Sequence, residues 1–345
     1  MIIFLEKVRE KTIFSRLQPV IVEPLELEYL KSALLENGHQ AYIIDAAFGI
    51  NAPSEALPDM IILNGYNVAE NLMIEKAKLH KIDFPEAMIA ASGVHVQLNR
   101  ETFRTDGFDL VVYSQSIEAF LELLSLLKDW DGAAPMVGSD VKSPVTDDWI
   151  LGSEVTVQDL EKITPDREIY NSRRSMTRYL DRIEVALFKS GIGCPYGCTF
   201  CYCRELNGGK HVRSDYNRLF SEMERVGARN SWIVDDVLLR DNEDANRFIE
   251  ASNNHRYSGE IIGYLRADFV YRYPELMPQL FKAGLKEAII GFEAPFDSQL
   301  EEYKKGMSAE TYKQVCDTLK TAGIDLIALF IVDPSYTHKI GRAHV

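Results

Sequence analysis

Strand-length apolar runs recur along this chain, and stretches of helical period separate them. In the first part the runs fall at 1–5, 41–45 (Ala-Tyr-Ile-Ile-Asp), 59–64 (Asp-Met-Ile-Ile-Leu-Asn), 87–92 and 109–113 (Asp-Leu-Val-Val-Tyr). Between the first two, Leu27, Leu30 and Leu34 share one face of a helix that Asn37 and Gly38 end. A second apolar-striped helix is expected at 117–128. Strand and helix alternating at this pitch predict an α/β fold with a Rossmann-like, doubly wound parallel sheet over residues 1–128. Ligands of such sheets sit at the carboxyl ends of the strands. Here those ends carry Asp45; Asn64, Gly65, Tyr66 and Asn67; Ser92, Gly93, Val94 and His95; and Ser114, Gln115 and Ser116.

The alternation resumes after residue 183, with strands expected at 184–189, 231–235, 260–266, 287–293 and 325–332. Helices are expected at 215–227, 243–252, 274–284 and 308–322, with Ser214 and Ser308 as N-caps. Five βα units in a row predict a parallel barrel or part of one, whose chemistry belongs at the carboxyl ends of its strands. Between the two halves, residues 129–150 hold Asp, Gly, Ala, Pro and Ser without apolar period, and 151–180 are polar. The expected organisation is therefore a first domain at 1–128, a linker at 129–180 and a partial barrel at 181–338, in keeping with 345 residues.

Composition narrows the class. With 46% hydrophobic and 26% charged residues the chain is globular, not disordered. Its 38 Lys and Arg against 52 Asp and Glu give a net charge of −14, which disfavours binding a phosphate backbone through bulk charge. No basic patch stands out beyond Arg173 and Arg174, and no nucleic-acid partner is expected. No apolar run approaches the ~18 residues that span a bilayer. The run at 1–5 is followed at once by Glu6 and Lys7, too short for a signal peptide, so a cytoplasmic protein is expected. The final residues, 339–345, resemble a translated sequencing adapter. The expectation is that the natural gene continues and that this chain is a C-terminally truncated fragment.

Four of the five cysteines lie within ten residues, at 194, 198, 201 and 203; the fifth is Cys316. In a reducing compartment such clustering points to metal binding rather than disulfides. The segment runs Gly193-Cys194-Pro195-Tyr196-Gly197-Cys198-Thr199-Phe200-Cys201-Tyr202-Cys203, just after an expected strand. Three thiolates at Cys-x3-Cys-x2-Cys spacing can hold three irons of a four-iron cluster, leaving the fourth open to a small molecule. The alternative is structural zinc, which wants four ligands, commonly as two separated pairs. No second pair is present, although Cys203 and His211 are further candidates.

This loop, with an aromatic residue directly before its third cysteine, is similar to the signature of radical S-adenosylmethionine (SAM) enzymes. The resemblance implies a [4Fe–4S] cluster on Cys194, Cys198 and Cys201, with Phe200 packing near it and SAM on the open iron. In that superfamily the reduced cluster cleaves SAM to methionine and a 5′-deoxyadenosyl radical. Less specific matches lie at the later strand ends. Asp235 or Asp236 would meet the SAM ammonium, Arg266 its carboxylate or a substrate anion, and Glu293 the ribose hydroxyls. Strand-end capping by the aspartates and a surface salt bridge for Arg266 are the plain alternatives. The expected fifth strand, Leu326-Ile-Ala-Leu-Phe-Ile-Val-Asp-Pro334, departs from the superfamily's glycine-rich ending. The superfamily's barrel has six strands, and five are counted here.

The N-terminal part resembles the cobalamin-binding domain that precedes many radical SAM enzymes. The likeness rests on Val22-Glu-Pro-Leu-Glu-Leu-Glu-Tyr-Leu30, Gly38-His39, Ile43-Ile-Asp45 and Ser92-Gly-Val-His95. It implies Asp45, Gly65, Tyr66, Gly93, His95 and Ser114 as cobalamin-contacting positions. The Asp-x-His-x-x-Gly motif that supplies an axial histidine elsewhere is missing, so His95 is not assigned to cobalt. The run Cys201-Tyr-Cys-Arg-Glu-Leu-Asn-Gly-Gly-Lys210, with the Leu329-Phe-Ile-Val-Asp-Pro334 strand, is similar to hopanoid C-3 methylase-like proteins. The resemblances together imply a cobalamin-dependent methyltransferase acting on an unactivated carbon of a small or lipid-like substrate. Its electron donor would be of the ferredoxin or flavodoxin kind. Two rivals are a radical SAM enzyme of another reaction type over a scaffold-only first domain, and a non-catalytic iron–sulfur or zinc protein.

Overall fold

The computed structural model describes residues 1–10, 20–113, 116–128, 130, 132, 134–153, 163–213 and 215–332. The chain divides into two compact units, Met1–Asp181 and Arg182–Val345.

The first unit is built on β1 (Ile2–Val8), α1 (Leu25–Glu36), β2 (Gln40–Asp45), β3 (Met60–Gly65), α2 (Glu70–Asp83), β4 (Met88–Ser92), α3 (Val94–Leu98), β5 (Leu110–Val112) and α4 (Ile117–Leu127). Strands β6 (Ser139–Lys142) and β7 (Trp149–Ile150) complete its sheet, in the order β2-β1-β3-β4-β5-β6-β7. The first five are parallel. Their apolar runs are continuous because both sheet faces are covered, and alternate side chains serve opposite cores. Ile3 and Leu5 of β1 pack with Leu27, Leu34 and Phe120 on one face. Phe4, Ile61 and Leu63 pack with Met73, Ala77 and Phe103 on the other. The order reverses between β1 and β3, and the carboxyl ends of those two strands frame the crevice where such sheets take ligands.

The linker expected over 129–150 is instead partly built into the sheet. Strands β6 and β7 add antiparallel to the edge of β5. Their sequence shows no apolar period because polar Ser139 and Asp140 are buried in β6 beside Val141. Buried Asp140 accepts from Arg104 Nε at 2.9 Å and from the Gly152 amide at 2.9 Å. Within 151–180, α-helical structure at Glu168–Arg173 and a short strand, Arg178–Tyr179, are also ordered.

The second unit holds β8 (Val185–Phe188), β9 (Gly191–Gly193), α5 (Cys203–Asn207), β10 (His211–Arg213), α6 (Tyr216–Val226), β11 (Asn230–Ile233), α7 (Asn242–Asn254), β12 (Glu260–Leu265), α8 (Ala267–Arg272), α9 (Met277–Lys282), β13 (Leu285–Glu293), α10 (Asp297–Glu302), α11 (Thr311–Ala322) and β14 (Asp325–Phe330). Its main sheet is parallel throughout, in the order β8-β11-β12-β13-β14. Among the described residues this sheet is open, with β8 and β14 at its edges. Strands β9 and β10 form a separate antiparallel hairpin between β8 and α6.

Two caps differ from expectation. Helix α6 is capped by Asp215, which accepts from the Asn217 amide; Ser214 lies outside the described residues. Helix α11 starts later than expected, with Glu310 at its N-cap. Ser308 contributes its carbonyl instead, to the Thr311 amide and hydroxyl. Among the described residues no helix is long and apolar enough to cross a membrane.

Candidate functional site

The cysteine loop leaves the β9–β10 hairpin at Gly193. This glycine has φ +82°, and a Cβ there would meet the Lys210 carbonyl oxygen at 2.1 Å. Only glycine lets the two hairpin strands close so tightly before the first cysteine. Cys194, Cys198, Cys201 and Cys203 are free thiols, each half-buried. The Cys201 amide donates to the Cys198 carbonyl at 3.3 Å, curling the second and third ligand positions into one turn. Burial pushes the Cys194 thiol up. Cys203 lies within hydrogen-bond reach of Cys201, which pulls the Cys201 thiol down to about 6. Three soft sulfur donors on one short loop, unpaired in disulfides, are the donor set an iron–sulfur cluster takes. Among the described residues no three His, Cys, Asp or Glu side chains already converge as a preformed cage. His211, the outlying zinc candidate, lies on β10 beside Arg213, its Nε2 3.3 Å from Nη2. Cys316 sits apart on α11.

The two aspartates at the end of β11 have different jobs. Asp235 is 2% exposed and turns inward. Its carboxylate accepts from the Ser190 amide (2.8 Å), the Ser190 hydroxyl (2.5 Å) and the Gly191 amide (3.0 Å), with Arg213 Nη1 at 3.5 Å. Asp236 is exposed and faces the loop. One of its oxygens takes the Gly193 amide at 2.9 Å and the other the Cys203 thiol at 3.2 Å.

At the end of β12, Arg266 lies across the loop. Its guanidinium stacks 3.7 Å from the Tyr196 ring centre, and Nη1 is 3.6 Å from Cys198 Sγ. Nε donates to Asp268 at 2.7 Å and Nη2 to the Lys305 carbonyl at 2.9 Å. At the end of β13, Glu293 holds a left-handed backbone at φ +66°. A non-glycine residue in that region is strained and persists only where its surroundings over-determine it. Its Oε1 accepts from Lys305 Nζ at 3.1 Å. Phe200 is exposed and meets the Tyr303 ring edge-on at 5.3 Å. The structure thus gathers Cys198, Asp236, Arg266 and Glu293 at the carboxyl ends of the parallel strands. It also brings in Tyr196 and Lys305, which the sequence did not single out. Tyr196 lies inside the cysteine motif, but Lys305 carries no local signal.

The carboxyl crest of the first unit is more heavily engaged. Asp45 is fully buried and ion-paired with Arg9, its Oδ2 2.6 Å from Nη2. Lys7 is buried at the end of β1, donating to Asn64 at 2.7 Å and to Glu26, with Nζ 4.2 Å from the centre of the Tyr66 ring. Tyr66 is 57% exposed; Val68, two residues on, and Val94 and Leu98 of α3 are exposed as well. Gly65 is required by packing: a Cβ there would meet Met73 Sδ at 2.8 Å. Gly93, at φ +112°, would press a Cβ to 2.9 Å from Asn64 Nδ2. His95 pairs with Glu70 at 2.7 Å and with Asn99 at 3.1 Å, so both ring nitrogens are engaged. Ser114 lies outside the described residues.

A family model described as the radical SAM superfamily matches residues 188–339. The match begins at the last residue of β8 and takes in the cysteine loop and the strand ends around it. Over 335 residues it is 21% identical to the hopanoid C-3 methylase of Methylococcus capsulatus, covering 92% of this chain and 62% of that protein. It is also 21% identical over 337 residues to the anaerobic magnesium-protoporphyrin IX monomethyl ester cyclase of Synechocystis sp., covering 92% and 66%. Among solved structures, the cobalamin-dependent SAM radical enzyme OxsB, with aqua-cobalamin and SAM bound, matches at a TM-score of 0.79 and 19% identity. That match covers 96% of this chain and 49% of OxsB. The radical SAM methyltransferase TsrM of Kitasatospora setae, with cobalamin and a [4Fe–4S] cluster bound, matches at 0.69 and 14%, covering 95% and 66%. At these identities the likeness is one of fold. The chain spans about three-fifths of its methylase relative and half of OxsB.

Proposed function

We propose that this chain takes part in a cobalamin-dependent radical SAM methylation. Cys194, Cys198 and Cys201 would hold the [4Fe–4S] cluster, which when bound supplies the electron that cleaves SAM reductively. Arg266, fixed by Tyr196 and Asp268, offers its guanidinium to the SAM carboxylate. Glu293 accepts from the ribose hydroxyls, and Asp236, exposed at the loop, faces the ammonium. Asp235 is assigned to holding the hairpin, since its oxygens already serve Ser190 and Gly191. In the first unit, exposed Tyr66, with Gly65 beside it and Gly93 at the neighbouring strand end, would face the corrin of cobalamin, which would carry the methyl group. His95 and Asp45 support the loops there through Glu70 and Arg9. The substrate would be a small or lipid-like molecule with an unactivated carbon, and a low-potential donor such as ferredoxin or flavodoxin would reduce the cluster.

The observation that carries this reading is the cysteine loop of a radical SAM domain, with Arg266 against Cys198 beside it. Electron paramagnetic resonance of the anaerobically reconstituted, reduced protein tests it. A four-iron signal that shifts on adding SAM is expected; zinc without iron, or a cluster indifferent to SAM, overturns it. A second reading, radical ring closure, is favoured by the similarity to the cyclase at equal identity. Product mass separates the two, because methylation adds one CH2 unit.

A further inference from the structure

Residues 302–305, the last of α10 and the three after it, touch the cysteine loop and the ends of β12 and β13. The Glu302 carbonyl accepts from the Thr199 hydroxyl at 3.0 Å, and the Tyr303 carbonyl from the Thr199 amide at 3.3 Å. Thr199 stands between the second and third cysteines, and the next residue, Phe200, is the one packed on the Tyr303 ring. Lys304 then turns through a left-handed conformation at φ +54°. That turn brings Lys305 inward, its side chain 6% exposed. Lys305 uses both ends: its carbonyl holds Arg266 Nη2, and its ammonium holds Glu293 Oε1.

Burying an ammonium is unfavourable unless it is paired and hydrogen-bonded. Ending α10 needs no such residue. A buried lysine here is explained if its pairing fixes something else, and what it touches is the strained Glu293 and the Arg266 guanidinium. We infer that Lys305 is a positioning residue for SAM: through the 302–305 strap it sets Glu293 and Arg266 at a fixed spacing from the cysteine loop. This rests on the radical SAM reading of the same site. Lys305 itself is not required to touch SAM. Its ammonium aims the Glu293 carboxylate, and its backbone keeps Arg266 from swinging away from Cys198.

The test is a SAM titration of the reconstituted, reduced full chain, followed by the cluster's paramagnetic signal and expressed per assembled cluster. Lys305→Met is expected to raise the dissociation constant for SAM at least tenfold, with iron content within a fifth of the parent. Lys305→Arg should restore binding to within threefold. With a SAM analogue lacking the ribose hydroxyls, parent and Lys305→Met should bind within threefold of each other, because the contact that Glu293 makes is gone for both. Equal SAM affinity in Lys305→Met and parent overturns the proposal, as does a penalty that persists in full with the analogue. Should Lys305→Met assemble no cluster, Lys305→Gln carries the same expectations. A parent signal that SAM leaves unmoved fails the radical SAM reading itself, before any variant is compared.

Discussion

Replacing Asp235 separates two jobs that the sequence alone allowed it. As a SAM ligand it would be expendable for folding; as placed in the structure it anchors the start of the hairpin that carries the cysteines. Asp235→Ala removes hydrogen bonds to the Ser190 amide, the Ser190 hydroxyl and the Gly191 amide, and leaves Arg213 beside a cavity. Each hydrogen bond to a charged group contributes about 1.5–3 kcal/mol. Breaking a buried ion pair from one side costs about 3–5 kcal/mol. These terms share one carboxylate and do not add. The loss is therefore set near the larger single term, at about 4 kcal/mol, or roughly a thousandfold in the unfolding equilibrium. Asp235→Asn keeps one acceptor oxygen and should lose about half as much. Denaturant unfolding of the apo chain reads this, with iron bound after reconstitution as the second readout. Both should fall together, most in Asp235→Ala. An Asp235→Ala protein that unfolds at the parent's midpoint, binds full iron and loses only its response to SAM refutes the anchoring argument.

Gly193→Ala forces a side chain into left-handed backbone, at about 1–2 kcal/mol, and onto the Lys210 carbonyl. Amide hydrogen exchange at residues 211–213 should accelerate and iron content should drop. Burial pushes the Glu28 carboxyl well up, neighbouring Glu23 adds to this, and Arg167 only partly offsets it. A carboxyl raised in the folded state stabilises least once pH exceeds its unfolded value, because the unfolded chain ionises freely and the folded one does not. Glu28→Gln should therefore match the parent in denaturant near pH 4 and gain stability over it steadily toward pH 8. Tyr66→Ala should weaken cobalamin uptake, read by difference spectroscopy, while leaving iron content and the SAM-dependent signal unchanged.

The parallel strands were legible because burial on both faces writes itself as uninterrupted apolar runs, as in Met60–Gly65 and Met88–Ser92. Strands β6 and β7 were not, because Ser139 and Asp140 are buried beside Val141, and Asp140 is held there by hydrogen bonds that no hydropathy pattern records. The cap of α11 was misplaced for a related reason. Ser308 has the right side chain, but the chain makes one more turn through its carbonyl before the helix begins. Tyr196 was inside the motif, yet its stacking on Arg266 depends on a residue from a strand end far later in the chain. Lys305 owes its place to a turn after a short helix, with partners at the ends of β12 and β13. Contacts of that span are set by topology, and topology followed only once the strand order was known.

The adjacent aspartates show most clearly what periodicity can and cannot decide. Successive residues of an extended chain point to opposite sides, so Asp235 and Asp236 had to differ in role. Nothing in Trp232-Ile-Val-Asp-Asp236 says which side holds the hairpin, because that hairpin is formed from residues much earlier in the chain. The structure resolves it with both carboxylates gripping the same segment from different directions. Asp235 fixes Ser190 and Gly191 from inside, before the loop begins. Asp236 fixes Gly193 at its first end and Cys203 just past its last ligand position. One strand end thus holds the cysteine loop at its base and at both its ends. The base and ends of the loop are fixed by hydrogen bonds of this chain, which is the support that the proposed cluster site would draw on.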